Sequence, residues 1–102
     1  MQTMVFTGRL AAAPQISDDF GKAVFRLLEQ RGTDNAGKAR LVGVNCVSWG
    51  SSLNRKILPR VPRGSEVMVT GAFSDTKYIA HDGSPREAKE LVVSRLTVLD
   101  WV

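Results

Sequence analysis

The side chains of this sequence that are suited to chemistry are aromatic and basic rather than nucleophilic. The sequence has a single cysteine, Cys46, and a single histidine, His81. A conventional zinc site needs more such ligands, and neither a phosphate-binding P-loop nor a serine-hydrolase motif is present. We therefore predict no catalytic residues, no metal site and no cofactor, and we expect a binding protein rather than an enzyme.

Trp49 and Tyr78 are the aromatic residues best placed to contact a ligand. Binding of single-stranded nucleic acid without sequence preference requires flat aromatic faces for the bases and cations that follow the phosphates. Trp49 ends a predicted strand on the face opposite Cys46, which as a lone cysteine is expected to be buried, so the indole is expected to face outward. Tyr78 precedes a predicted hairpin turn, and Lys77 beside it is a candidate phosphate contact. A core or subunit-interface position for Trp49, and an ordinary strand-edge position for Tyr78, stay open.

The basic residues outnumber the acidic ones, 14 to 10, which gives a net charge of +4. This balance alone is weak support for a polyanionic partner. Further candidate phosphate contacts are Arg9, Arg26, Arg31, Arg40 and Arg86. Each of these also fits an ordinary solvated side chain. A basic segment without acidic residues, 55–63, is expected to be a solvated face or a secondary path for nucleic acid.

The elements that must position these side chains are short strands separated by turn residues. Apolar and polar residues alternate in five runs, which is typical of strands with one buried face. The runs cover residues 3–10, 22–31, 40–49, 66–79 and 87–101. Phe6, Phe25 and Phe73 have the inward phase and are predicted to lie in the core, and Val92, Leu96 and Val98 are predicted to share one face. Gly71 inside its strand predicts a bulge or bend.

One short helix is predicted at residues 51–58, between the third and fourth strands. Ser51 or Ser52 is the expected N-cap, and Pro59 is expected to end the helix. Leu53 and Ile57 are spaced to close one end of a barrel. Three strands, a helix and two strands are the order of the OB-fold, a five-stranded Greek-key β-barrel. The length predicts a single domain over residues 1–102.

With that fold, the sequence resembles the bacterial single-stranded DNA-binding protein (SSB) family. The likeness rests on four segments: residues 7–10 (Thr-Gly-Arg-Leu), 25–31 (Phe-Arg-Leu-Leu-Glu-Gln-Arg), 47–50 (Val-Ser-Trp-Gly) and 63–73, which follows a Lys-Gly-x-x-Val-x-Val-x-Gly-x-Leu pattern. The sequence departs from the family at Thr33 and Gly43, where members often have tryptophan. It also has no acidic, Phe-terminated tail of the kind that recruits replication and repair enzymes.

The resemblance implies sequence-nonspecific binding and protection of single-stranded DNA in replication, recombination or repair. It also implies a homodimer or homotetramer, with replication proteins as further partners only by a route other than the acidic tail. A dimer like primosomal replication protein N, bridging DNA and a helicase, is the alternative, and an RNA- or tRNA-binding OB domain is a third. No stretch approaches the roughly 18 apolar residues of a membrane-spanning helix, and no signal-peptide pattern is seen at the start. The expected location is therefore cytoplasmic and nucleoid-associated.

Overall fold

The chain folds into a strongly curved sheet with one short helix. The computed structural model describes residues 2–102, without the side chain of residue 76, so the first residue of the predicted domain 1–102 lies outside it. In chain order the elements are β1 (Met4–Leu10), β2 (Gln15–Ile16), β3 (Ala23–Thr33), β4 (Ala39–Ser48), α1 (Ser51–Lys56), a 3-10 helix (Leu58–Arg60), β5 (Glu66–Ile79) and β6 (Pro85–Asp100).

The sheet closes into a barrel because β1 pairs at both of its sides. The strand order is β1-β5-β6-β4-β3-β2, and β1 also pairs with β3 through Arg9 and Leu10. The β4–β6 pair is parallel, and the other neighbouring pairs are antiparallel. This is the OB-fold arrangement. The predicted barrel, with its helix between the third and fourth long strands, is confirmed, and the two-residue β2 is an addition to it.

The barrel core is built from the inward side chains of every long strand. Its most deeply buried members, at most 2% exposed, include Leu10, Leu27, Val67, Val69 and Leu91. The predicted burial of Phe6 and Phe25 is confirmed. The prediction for Phe73 is wrong, because its side chain is 40% exposed. It lies beyond Gly71, the last β5 residue paired with β1, so its ring covers the margin of the core. The Phe73 ring contacts the Phe6 ring edge-on, with the ring centroids 5.6 Å apart.

A bulge bends β6 where it passes Gly71. Thr70 pairs with Arg95 and Gly71 with Val93, which leaves Ser94 without a pair. The predicted irregularity at Gly71 is confirmed, although the extra residue belongs to the partner strand. A Cβ at Gly71 would overlap the Val92 carbonyl oxygen, so the close approach of the two backbones requires glycine here.

The same bulge overturns the predicted face of β6. A bulge inserts one residue and so reverses the inward and outward phase beyond it. Leu91 and Val93 are buried before the bulge and Leu96 after it, whereas Val92 points the other way. The prediction that Val92 shares a face with Leu96 and Val98 is therefore wrong.

Helix α1 is two residues shorter than predicted, because it ends at Lys56. Helix α1 begins at Ser51 after Gly50, which caps it without a side-chain hydrogen bond, so the predicted serine cap is wrong. Pro59 does not end α1, since it lies within the 3-10 helix, where its missing N–H is tolerated. Leu53 packs against the core as predicted.

Closure of this end of the barrel comes from a residue pair that the pattern did not indicate. Ile57, predicted to share this role with Leu53, is 37% exposed. The end is closed instead by Leu58 and Val61, at 0% and 2% exposure. Among residues 2–102, no helix is long and apolar enough to cross a membrane.

Cys46 is a core residue, as the sequence predicts. Its side chain is 1% exposed, and its Sγ lies 3.7 Å from the Val44 carbonyl oxygen. Burial raises the pKa of the thiol to about 12, because desolvation disfavours the thiolate. Near neutral pH the group is therefore protonated and is not a nucleophile.

Replacement of Gly71 by alanine tests the close approach of β5 and β6. We expect Gly71→Ala to lower the free energy of unfolding by about 1–3 kcal/mol, because the strands must separate to admit the methyl group. Gly50→Ser is the control. Its Cβ would meet no atom closer than 3.9 Å, and serine is at least as good an N-cap for α1 as glycine, so it should not lower the free energy of unfolding by more than about 0.5 kcal/mol. Urea denaturation measures both, and equal stabilities would contradict the argument.

Candidate nucleic-acid interface

The outward side chains of the β3–β4 hairpin form the candidate surface. Antiparallel register places Arg26 opposite Asn45 and Leu28 opposite Gly43. In the part of the hairpin that belongs to the barrel, the alternate residues of both strands, including Phe25 and Cys46, are buried, so this set faces away from the core. We call Lys22, Arg26, Gly43, Asn45 and Trp49 the β3–β4 outer face.

Trp49 and Lys22 lie side by side at one end of the β3–β4 outer face. Ala23 pairs with Ser48 in antiparallel register, so Lys22, which precedes Ala23, lies next to Trp49, which follows Ser48. Trp49 is 58% exposed, which confirms its predicted outward orientation. The Lys22 ammonium nitrogen lies over the indole, 5.2 Å from the ring centroid, within the range of a cation–π contact. An exposed aromatic face and a cation are thus held together.

A tight turn before β3 holds Lys22 in place. The Ser17 N–H donates a hydrogen bond to the Lys22 carbonyl oxygen at 2.9 Å. In return, the Lys22 N–H donates to Ser17 Oγ at 3.0 Å. The Asp19 carboxylate accepts from the Gly21 N–H and from the Ser17 hydroxyl, at 2.9 and 2.8 Å. These bonds, with the Gly21 bond contributing most, lower the pKa of Asp19. Because the carboxylate stays ionised at neutral pH, it maintains the turn.

Asn54 connects this turn to the end of β4. Its side chain is fully buried in α1. The Asn54 Nδ2 donates to the Phe20 carbonyl oxygen at 3.0 Å and to the Ser48 carbonyl oxygen at 3.1 Å. Phe20 is two residues before Lys22, and Ser48 directly precedes Trp49. One buried amide therefore fixes both backbones that carry the Trp49–Lys22 pair.

Arg26 lies in the middle of the β3–β4 outer face. Arg26 is exposed, and its Nη1 donates to Asn45 Oδ1 at 2.9 Å. Its guanidinium also lies above Gly43, where a Cβ would overlap it. Among the predicted phosphate contacts, Arg26 shares the outer face with Trp49.

The β5–β6 hairpin carries Tyr78, Lys77 and Arg86. Tyr78 is 50% exposed and lies directly opposite Arg86. Lys77 lies opposite Glu87, on the other face of the ribbon, since successive strand residues alternate. The Arg86 guanidinium is 3.7 Å from the Asp82 carboxylate, and its Nε lies 3.2 Å from Ser84 Oγ. The structure therefore brings Tyr78 together with Arg86 rather than with Lys77.

Three other predicted contacts lie apart from Trp49. Arg9 donates to the Gly64 carbonyl oxygen at 2.9 Å and lies 3.7 Å from Asp100. Arg31 pairs with Glu29 at 3.3 Å. Arg40 is exposed near the tip of the β3–β4 hairpin. Their contact with nucleic acid stays a prediction.

Two further aromatic residues, Phe20 and Trp101, lie outside the β3–β4 outer face. The Arg55 guanidinium lies over the Phe20 ring at 4.4 Å, so one cation of the basic segment 55–63 packs on the turn before β3. Trp101, predicted to pack on the barrel or in a dimer seam, is 54% exposed. It is therefore not packed into the barrel, and the seam stays a prediction.

Sequence reasoning missed Lys22, Asn45 and Asn54 as residues of this site. The position of Lys22 beside Trp49 depends on strand register, which no local pattern in the sequence gives. Asn54 lies between Leu53 and Arg55 in the sequence, and a polar residue at such a position carries no local signal of burial. In the part of the chain that the structure describes, no three or more His, Cys, Asp and Glu side chains are grouped to hold a metal ion.

Removal of the Asn54 amide tests its role in joining the two backbones. We expect Asn54→Ala to cost about 1–3 kcal/mol of unfolding free energy, because the buried Ser48 carbonyl and the part-buried Phe20 carbonyl lose their donor. Asn35→Ala, in the exposed β3–β4 tip, is the matched control and should change stability by less than about 0.5 kcal/mol. Thermal and urea denaturation report both values. A cost for Asn54→Ala as small as that of the control would contradict the assignment.

Comparison with known proteins supports the same architecture. No family model matches the chain, and no curated protein matches it in sequence. Among solved structures, the SSB of Plasmodium falciparum in complex with ssDNA is similar, with a TM-score of 0.79 and 22% sequence identity. The match covers 98% of this chain and 96% of that chain. This chain therefore has the fold of that SSB over nearly its whole length.

Proposed function

We propose that this protein binds single-stranded DNA without sequence preference and protects it during replication, recombination or repair. The observation that carries the proposal is the exposed Trp49 with the Lys22 ammonium over its ring, on the outer face of an OB-fold barrel. The structurally similar Plasmodium falciparum SSB was solved with ssDNA, which supports the same ligand. The action proposed is binding by a single domain, without catalysis.

The proposed contact combines stacking with charge. A base that stacks on an aromatic side chain gains about 1–3 kcal/mol whatever its identity, since every base has a π face. A nearby ammonium group neutralises the phosphate of the same or the next nucleotide and releases counterions. Trp49 and Lys22 supply both parts within one contact pair. This arrangement gives affinity without reading sequence.

The β5–β6 hairpin is proposed as a second contact region. Tyr78 is half exposed, and its cross-strand neighbour Arg86 adds a cation. Lys77 is proposed to serve a strand passing on the opposite face of the ribbon. Arg9, Arg31 and Arg40 are proposed as peripheral phosphate contacts, each in exchange for its present intramolecular partner or solvent.

Self-association, as a dimer or tetramer, is part of the proposal. Several large apolar side chains are exposed on this chain, among them Val5, Leu41, Ile79, Leu99 and Trp101. Burial of such side chains between copies is favourable and would extend the DNA path across several barrels. A cytoplasmic, nucleoid-associated location follows from the proposed ligand, and replication proteins are proposed as further partners.

Binding of fluorescein-labelled oligo-dT, followed by anisotropy, tests the proposal with a reporter on the DNA. Wild type should bind at low salt and weaken steeply as salt rises. Trp49→Ala should lose about 1–3 kcal/mol of binding free energy, because one stacked base loses its platform. Val102→Ala is the control, since Val102 is exposed and lies outside both proposed contact regions, and it should stay within about 0.5 kcal/mol of wild type.

Two outcomes of this titration would count against the proposal. Failure of wild type to bind oligo-dT at low salt would reject single-stranded DNA as the ligand. Equal affinities of Trp49→Ala and wild type would reject the site. An RNA oligonucleotide of equal length, run in parallel, separates DNA coating from an RNA-binding role, which predicts the tighter complex with RNA.

A further inference from the structure

Position 43 on the β3–β4 outer face carries no side chain, yet the space above it is filled. A Cβ built on Gly43 would overlap Nη2, Cζ and Nε of Arg26. Arg26 belongs to the adjacent strand β3, so its side chain lies down across the sheet to reach β4. The guanidinium therefore takes the place that a side chain at position 43 would occupy.

A hydrogen bond holds the group in this position. Arg26 Nη1 donates to Asn45 Oδ1 at 2.9 Å, and Asn45 lies directly opposite Arg26 in the register. The amide oxygen therefore anchors one edge of the guanidinium, and the bare backbone of Gly43 admits its body. An arginine held by two neighbouring residues loses less conformational entropy on ligand binding than one extended into solvent.

The Arg26 guanidinium lies on the path that a single strand bound to Trp49 would follow along β4. The guanidinium lies above Gly43, and Gly43 and Trp49 are six residues apart on one edge of the outer face, which corresponds to about 20 Å along the strand direction. Both groups face outward from the same hairpin. A single strand that stacks a base on Trp49 and continues along β4 passes over Arg26.

We propose that the Arg26 guanidinium, lying above Gly43, is a base-stacking surface on the same outer face as Trp49. The inference rests on the proposed function and assigns to Arg26 a base rather than a phosphate. A guanidinium is planar, delocalised and weakly hydrated, and it stacks on π systems, whereas an ammonium group acts as a point charge. Asn45 occupies one of its N–H donors, which leaves the planar group available above the sheet.

Two variants and two ligands separate stacking from phosphate binding. The ligands are labelled oligo-dT and an abasic oligonucleotide of equal length, which keeps the phosphates and lacks the bases. Arg26→Lys preserves the charge and removes the plane. Gly43→Ala preserves every charge and displaces the guanidinium from its place. Arg95→Lys, at an exposed arginine of β6 that has no role in the proposed interface, is the matched control.

The expected result is a loss that depends on the bases. Arg26→Lys and Gly43→Ala should each weaken binding of oligo-dT about tenfold, with no change for the abasic ligand. The slope of affinity against salt should be the same as in wild type, because no charge is removed. Arg95→Lys should match wild type on both ligands. The melting temperatures should also match, since Arg26 is exposed and its displaced end is flexible.

Other results would overturn the assignment. If Arg26→Lys bound oligo-dT as tightly as wild type does, a point charge at this position would be sufficient for binding. Equal losses on oligo-dT and on the abasic ligand would assign Arg26 to a phosphate. If Arg26→Lys were unfolded, Gly43→Ala would decide the matter by the same two criteria. Failure of wild type itself to bind oligo-dT would instead reject the proposed function, together with this inference.

Discussion

The buried amide of Asn54 is the interaction on which the candidate interface depends. It donates to the Phe20 and Ser48 carbonyls, which belong to segments far apart in the chain. A buried carbonyl without a donor is costly, so the two segments are held where the amide can reach both. Helix α1 has six residues and is too short to be stable alone. Its packing on the barrel through Leu53 places Asn54, and Asn54 in turn fixes the backbones that carry Trp49 and Lys22.

Strand phase and turn residues were sufficient to predict the barrel, because alternation reports burial directly. It identified Phe6 and Phe25 as core residues and oriented Trp49 outward through its relation to Cys46. It failed at Val92, since the bulge at Ser94 reverses the phase and depends on a close approach between two strands that are distant in sequence. It failed at Phe73 because β5 runs past its pairing with β1, and alternation does not indicate where a barrel ends.

The candidate site was predictable only in part, since its contacts join different strands. The resemblance to the SSB family made Gly43 look like a missing stacking position. In the structure the space is filled by Arg26, and this contact depends on the β3–β4 register. Lys22 reaches Trp49 through the same register. Composition and spacing identified the cations and the aromatic side chains, whereas the pairing of strands decided which of them act together.

The most direct test of the central claim is a map of the DNA-contacting surface by ¹⁵N–¹H NMR during titration with oligo-dT. The account predicts the largest shift changes at the Trp49 indole Nε1–H, the Arg26 side chain and the amides of Lys22 and Asn45, all on the β3–β4 outer face. Changes confined to the basic segment 55–63, with the Trp49 and Arg26 signals unmoved at saturation, would contradict it.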